Sequence, residues 1–280
     1  MKIDRRETLL GFASAFGGTL LAAPASAGAH SPIALAKDQS KGGIDRLTKF
    51  LRIRCSTYQK PTYWWYSGQI MGYVEGVSPL QPILSVVGAS QTVASENSDG
   101  SISYDMVEAG YYGDAASGDI ADGPISNLLT GEQITPKHYL SPQKLRFTND
   151  LRVEPASGPL PPDVSFEGKI VGPDEKGDRI WMAEHLIAEI AARGDKPKRI
   201  SNSLANFQAS LSDVLSERQF VPATMDYTTL NSFRPWMNMG TASGRIMSRL
   251  QAIKLERWSS VPLELRQRIE ADHGGIFGNV

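Results

Sequence analysis

From residue 55 to about residue 171 the chain is patterned mostly in two-residue alternation. Lys144–Glu154 is the clearest run: Leu145, Phe147, Leu151 and Val153 are apolar, and charged or polar residues occupy the other face. Val164, Phe166 and Ile170 alternate with Asp163, Ser165, Glu167 and Lys169 in the same way, as do Ile102, Tyr104 and Met106 with Ser103 and Asp105. Successive side chains of a strand point to opposite faces, so these runs predict antiparallel strands with one face on a core and one in water. Tyr63–Val74 and Ile83–Val93 are more continuously apolar, as strands covered on both faces are. Turn residues separate the runs at Asp99-Gly100, Ser117-Gly118-Asp119, Thr130-Gly131-Glu132 and the proline-rich stretch 154–163. Many strands at this spacing predict a meander that curls into a barrel or sandwich.

Helical periodicity is scarce. Ile44, Leu47, Phe50 and Leu51 predict a short amphipathic helix over Ile44–Arg54, with Asp45, Arg46 and Lys49 turned away. Ile180, Ala183, Ile187 and Ile190 also keep helical spacing, which predicts a helix over Arg179–Arg193 capped by Asp178 and ended by Gly194; a strand over 179–187 is the alternative. Strand-like segments resume at about 199–211, 223–234 and 244–257, and a last helix spans Leu263–Ala271, with Ser260 as cap and Pro262 in its first turn. No repeat or linker interrupts the chain. The fold expected is mainly β: a single antiparallel β-barrel or strongly curled sheet over residues 44–280, with a few short peripheral helices.

The first residues carry a different message. Arg5-Arg6 precedes a weakly apolar run, Leu9 to Ala23, and Pro24-Ala25-Ser26-Ala27 follows with small residues at 25 and 27. The order basic, apolar, small-x-small predicts a twin-arginine export signal cleaved after Ala27, and a periplasmic or secreted bacterial protein that uses the twin-arginine export machinery as a partner. The run is about 15 residues against the roughly 20 of a spanning helix, so no membrane span is expected after cleavage. Residues 28–43 read as a flexible leader. Removing 1–27 takes three basic and two acidic side chains from 29 and 30, leaving 26 and 28 and a net charge of −2. That balance lacks the clustered Lys and Arg a nucleic acid requires. Cys55 stands alone, so no intramolecular disulfide is possible; it reads as a small buried hydrophobe.

There is no Gly-x-Ser-x-Gly elbow, no His-Glu-x-x-His, no phosphate loop and no dinucleotide fingerprint, and the four histidines never pair at ligand spacing. No metal and no cofactor is therefore expected. His138 follows a turn and opens a strand, where an imidazole facing into a barrel can move a proton near neutral pH. Phe233-Arg234-Pro235-Trp236-Met237-Asn238-Met239-Gly240 offers an apolar surface with one guanidinium, suited to a flat hydrophobic ligand bearing an oxygen; a barrel-closing plug is the other reading of the same residues. Tyr111 and Tyr112 face opposite ways on their strand, so only one can line a cavity. Asp114 and Asp119 flank a turn and read as its caps.

These segments resemble a bacterial and fungal family known only as domain of unknown function 1838. The similarity is most specific at 233–240, followed by Gly244 and Lys254, where the family has Trp-Arg-Pro-Trp-x-x-Met-Gly, a similarly spaced Gly and a Gly-x-Lys. A second block comprises Tyr112-x-Asp114, Ser117-Gly118-Asp119-Ile120, Asn127-x-x-Thr130-Gly131-Glu132 and His138, and Gly68 and Gly88 extend the resemblance over roughly residues 44–278. Phe233 departs from the usual Trp, Leu128 from a Pro, and Gln251-Ala252 from the Gly before the lysine. The resemblance implies no reaction. It singles out His138, Arg234 and Trp236.

Two functions fit this reading. One is a cofactor-independent enzyme performing a proton-transfer isomerisation, cyclisation or lyase step on a hydrophobic small molecule, with His138 as acid or base, Arg234 as oxyanion contact, and Trp236, Tyr112 and Met239 against the ligand. The other is a periplasmic carrier or sensor that binds such a molecule without turnover.

Overall fold

The computed structural model describes residues 37–38, 43–156, 160–192 and 198–277. The expected signal at Arg5, Arg6 and Ala27 lies outside them. A minor ladder, β1 (Lys37–Asp38) with β2 (Gly43–Ile44), precedes helix α1 (Arg46–Arg54) and three long strands, β3 (Thr62–Val74), β4 (Ser78–Glu96) and β5 (Ile102–Gly113). A second minor ladder, β6 (Ile125–Ser126) with β7 (Gln133–Ile134), leads to β8 (Tyr139–Phe147), β9 (Val153–Pro155), β10 (Val164–Lys176), β11 (Arg179–Ile190) and β12 (Arg199–Ser210). Helix α2 (Leu211–Leu215), β13 (Ala223–Asn231), β14 (Gly244–Leu255) and helix α3 (Leu263–His273) complete the chain.

Ten strands form one antiparallel sheet in the order β10-β11-β12-β13-β14-β3-β4-β5-β8-β9. Its two edges approach each other: Arg152 and Lys169 form a bridge, and Ile170 N–H donates to the Leu151 carbonyl at 2.8 Å. The sheet is thus a nearly closed barrel, as the alternation predicts.

Arg179–Ile190 departs from the helix expected there. It is a strand paired along its whole length with β10 and β12. The helical spacing of Ile180, Ala183, Ile187 and Ile190 coincides with a truer period of two, in which Ile180, Met182, Glu184, Leu186 and Ala188 are the buried positions. Asp178 caps no helix start at 179; its carboxylate accepts from Ser210 Oγ and Ser212 N–H, each at 2.8 Å. Further along, the start of α3 is set by Pro262 rather than Ser260, which ends a short 3-10 turn.

The barrel wall has two different sides. On β5 the even positions Ile102, Tyr104, Met106 and Tyr112 belong to the main core inside the barrel. The odd positions Ala109 and Tyr111 belong to a second cluster outside it, with Leu265 and Ile269 of α3. Ala89 and Ala109 are directly paired across β4 and β5, so the wall there is thin enough for α3 to pack closely. At one end of the barrel sits α1. The Asp45 carboxylate caps it by accepting from Thr48 N–H at 2.7 Å, and its apolar face buries Leu47, Phe50, Leu51 and Ile53. Phe50 meets Phe147 and Phe207 edge-on at 5.4 and 5.7 Å. Full burial of such a ring is worth roughly 1.5–3 kcal/mol, so these contacts seat the helix as a plug.

Candidate active site in the barrel lumen

Between its ends the barrel keeps a cavity of ≈ 560 Å³ of atom-free space, its open mouth included. The centres of water-sized spheres can occupy ≈ 50 Å³ of it, several times the roughly 10–15 Å³ that a single water requires. Trp64, Met106, Leu186, Ala205 and Leu250 make the apolar part of the wall. Met225 and Tyr227 of β13 are the lining side chains that remain half-buried, which places the mouth beside that strand. Against this apolar background stand Arg54, Glu108 and Glu184, with Tyr66, Ser90 and Gln143.

Glu108 is held by phenols. Tyr139 Oη donates to Glu108 Oε1 at 3.2 Å, and the Tyr66 and Tyr139 hydroxyls share a hydrogen bond of 2.8 Å. The two rings fit because Gly88 and Gly110, which pair directly across β4 and β5, leave the inner wall bare. A Cβ at Gly88 would lie 2.2 Å from Tyr66 Oη, and one at Gly110 would lie 2.2 Å from the Tyr139 ring. Burial pushes the Glu108 carboxyl above its usual range, against the pull of the phenols and of Arg54 and Arg234. Burial, with Glu108 alongside, drives both phenols well above theirs. A carboxyl tuned upward and hydrogen-bonded to phenols can hold or release a proton at the cavity wall.

Arg54 and Glu184 form the cavity's other polar pole. The guanidinium lies over the rings of Tyr104 and Phe207, each 5.0 Å from its carbon, so two aromatic faces fix it. Its Nε stands 3.8 Å from Glu184 Oε2, beyond hydrogen-bond reach. Neither atom has a hydrogen-bond partner, although the side chains are only 7% and 6% exposed. Burial raises the Glu184 carboxyl, and Arg54 holds it down.

Of the residues expected from the sequence, four come together, and they do so away from this cavity. The Arg234 guanidinium lies over the Tyr112 ring at 5.2 Å, and Trp236 meets the same ring at 5.3 Å. Asn127 Nδ2 donates to the Met237 carbonyl at 2.8 Å and to Met239 Sδ at 3.3 Å, fixing the 3-10 turn Pro235–Met237. Arg234, Tyr112 and Met239 are buried, Trp236 is half-buried, and none of the four lines the cavity. Tyr112 stands at the far end of β5 from Tyr104, about 27 Å away at a strand's usual rise. The turn therefore packs at the opposite end of the lumen from α1, the plug arrangement.

His138 lies across the wall. Its Nδ1 accepts from Tyr112 N–H at 3.2 Å, and its ring packs on Tyr111, the outward neighbour. Burial, and then the Arg268 charge, lower its pKa. Arg268 itself pairs with Asp122 and Asp272. Asp114 caps its turn, accepting from the backbone N–H groups of Ala116 and Ser117 at 2.9 Å each. Cys55 is buried, and burial pushes its thiol up to about 11.

Sequence reasoning missed Glu108 and Glu184, yet a signal was present. Each is a charged residue in the apolar phase of an alternating strand: Glu108 follows Ile102, Tyr104 and Met106, and Glu184 falls between Met182 and Leu186. No group of three or more His, Cys, Asp or Glu among the described residues is placed to hold a metal ion, and none of the described helices is long and apolar enough to cross a membrane. Comparison with protein-family models, with curated proteins and with solved structures found no match to this chain.

Proposed function

We propose that the lumen binds a small, mainly apolar molecule and that Glu108 moves a proton on it, in an isomerisation, cyclisation or lyase step that needs no cofactor. The observation that carries this reading is a carboxyl raised by burial, hydrogen-bonded to a phenol pair, at the wall of an otherwise largely apolar cavity. Ionised, Glu108 accepts a proton from the ligand. The Tyr139 hydroxyl, donating to the carboxylate, stabilises the charge while it lasts, and Tyr66 orients Tyr139. Glu108 then returns the proton to a different atom, so the ligand is rearranged and the protein regenerated. Arg54 and Arg234 both act on the Glu108 charge from either side. In this reading His138 and Arg234 have no contact with the ligand.

An exported location, with Arg5, Arg6 and Ala27 as the signal, belongs to the same proposal and is checked by the mass of the protein recovered from a periplasm, which should begin at residue 28. The chemistry is tested with that protein in D₂O, incubated with an extract of small apolar metabolites. Wild type should place deuterium on a ligand that native mass spectrometry finds bound. Glu108→Gln should bind the same ligand and lose exchange by at least about a hundredfold, the usual span of acid–base assistance. A bound ligand that gains no deuterium in wild type would instead make the protein a carrier.

A further inference from the structure

The polar pole at Arg54 and Glu184 is not used by the proton transfer proposed above, and it has a specific chemistry. Arg54 Nε offers an N–H and Glu184 Oε2 offers a lone pair; both belong to side chains that line one cavity, and neither is hydrogen-bonded. Leaving such groups bare in a protein interior costs about 1–3 kcal/mol each, so the gap between them is where a hydrogen-bonding atom gains most. At 3.8 Å the two are too far apart to satisfy one another. The guanidinium lies at the same time over the Tyr104 and Phe207 rings, contacts it would give up in moving toward Glu184. What fits between an N–H and a carboxylate oxygen is an atom that accepts from the first and donates to the second.

Charge narrows the choice. Arg54 and Glu184 already balance each other, and a ligand carboxylate would add a negative charge beside Glu184, with Glu108 on the same wall. An ether or ketone oxygen can accept from Arg54 but leaves the carboxylate bare, and a hydrocarbon serves neither. We propose that the lumen selects alcohols: the hydroxyl of an apolar ligand seats between Arg54 Nε and Glu184 Oε2, and its carbon skeleton extends along the Trp64, Met106 and Leu250 wall toward Glu108. This rests on the lumen being the binding site. It makes Arg54 and Glu184 specificity residues, separate from the proton carrier.

The test is calorimetric titration of the purified protein with benzyl alcohol, toluene and benzoate, which share one ring and differ at one end. Wild type should bind benzyl alcohol at least about tenfold more tightly than toluene, and benzoate no more tightly than toluene. A buried hydrogen bond to a charged group is worth about 1.5–3 kcal/mol, which is a tenfold or greater preference. Glu184→Gln should cut the alcohol preference severalfold and leave toluene affinity unchanged, whereas His138→Ala, on the outer side of the wall, should leave the preference intact. Equal binding of toluene and benzyl alcohol to wild type would overturn the alcohol assignment and keep the lumen as the site. Tightest binding of benzoate would overturn it in favour of anion recognition by Arg54. Failure of all three to bind would overturn both this assignment and the lumen reading on which it rests. The wild-type comparison stands whether or not the variants fold.

Discussion

At one end of the lumen the plug is helix α1, and the buried Lys254 holds it, its Nζ donating to the carbonyls of Arg52 and Cys55 at 2.7 and 2.6 Å. At the other end the plug is the turn Pro235–Met237, and the buried Asn127 holds it through the Met237 carbonyl. The helix brings two buried arginines, Arg52 and Arg54, and the turn is preceded by one, Arg234. Arg54 faces the cavity, with Glu184 near it and Nε without a hydrogen bond. Arg234 is covered by Tyr112 and the turn, and does not line the cavity. As whole residues Arg54 and Arg234 are almost equally buried, at 6% and 2% exposed. Burial alone therefore says little about which one meets a ligand; the adjoining space does, since Arg54 lines the cavity and Arg234 does not.

The largest effect that separates the two ends comes from Arg234→Ala. It removes a buried cation that Glu108 senses and the packing on Tyr112, and should cost about 3 kcal/mol of stability. The denaturant midpoint reads this directly. The alcohol-over-hydrocarbon preference of the folded fraction should stay as in wild type. A variant with a normal midpoint and a lost preference would reverse the roles assigned to the two arginines.

Next in size is Lys254→Met, which strips two carbonyls of their donor and should cost about 2 kcal/mol at neutral pH. Burial lowers the Lys254 pKa to about 7, against roughly 10.4 for a free lysine. Between those values the unfolded chain binds more protons than the folded one, so the lysine makes stability rise with pH. The wild-type advantage over Lys254→Met should therefore widen from pH 7 to pH 10. Asn127 has no titrating group, and Asn127→Ala should show a gap that is flat over the same range. A gap that narrows with rising pH for Lys254→Met would mean the amine is held as a charged donor.

How far the sequence could be read follows from this geometry. Period-two alternation is a property of each strand alone, so Val164–Ile170 and Ile102–Met106 announced their strands without knowledge of the partners, whereas the run Lys144–Glu154, expected as one strand, is the two arms of a hairpin, the end of β8 and the start of β9, with a turn at 149–150 between them. Arg179–Ile190 misled because both periods fit so short a run, and only the neighbours β10 and β12 decide between them. The motif at Arg234–Gly240 was visible because it is contiguous, and so was Lys254; in the fold the motif packs as a plug and the lysine pins one. The cavity wall is assembled from single residues on several strands and the end of α1. Its acids show in the sequence only as charges in the wrong phase, Glu108 and Glu184. Nothing local says that Arg54, the last residue of α1, turns inward to meet Glu184.

His138→Ala is the smallest of these effects and the one that tests which side of the wall matters. The imidazole accepts a single backbone N–H, that of Tyr112, and packs on Tyr111 with partial exposure. Losing that acceptor should cost about 1 kcal/mol. The lowered pKa adds a sign: the folded chain releases its proton before the unfolded one does. Wild-type stability therefore gains with rising pH across the window just below the usual imidazole value, and the alanine variant lacks that gain. Deuterium exchange on the lumen ligand should be unchanged, because β5 and its side chains stand between the imidazole and Glu108. If His138→Ala abolished exchange while melting normally, the proton would have to pass at the outer face, beside Tyr111 and Arg268, and Glu108 would be left as a structural acid.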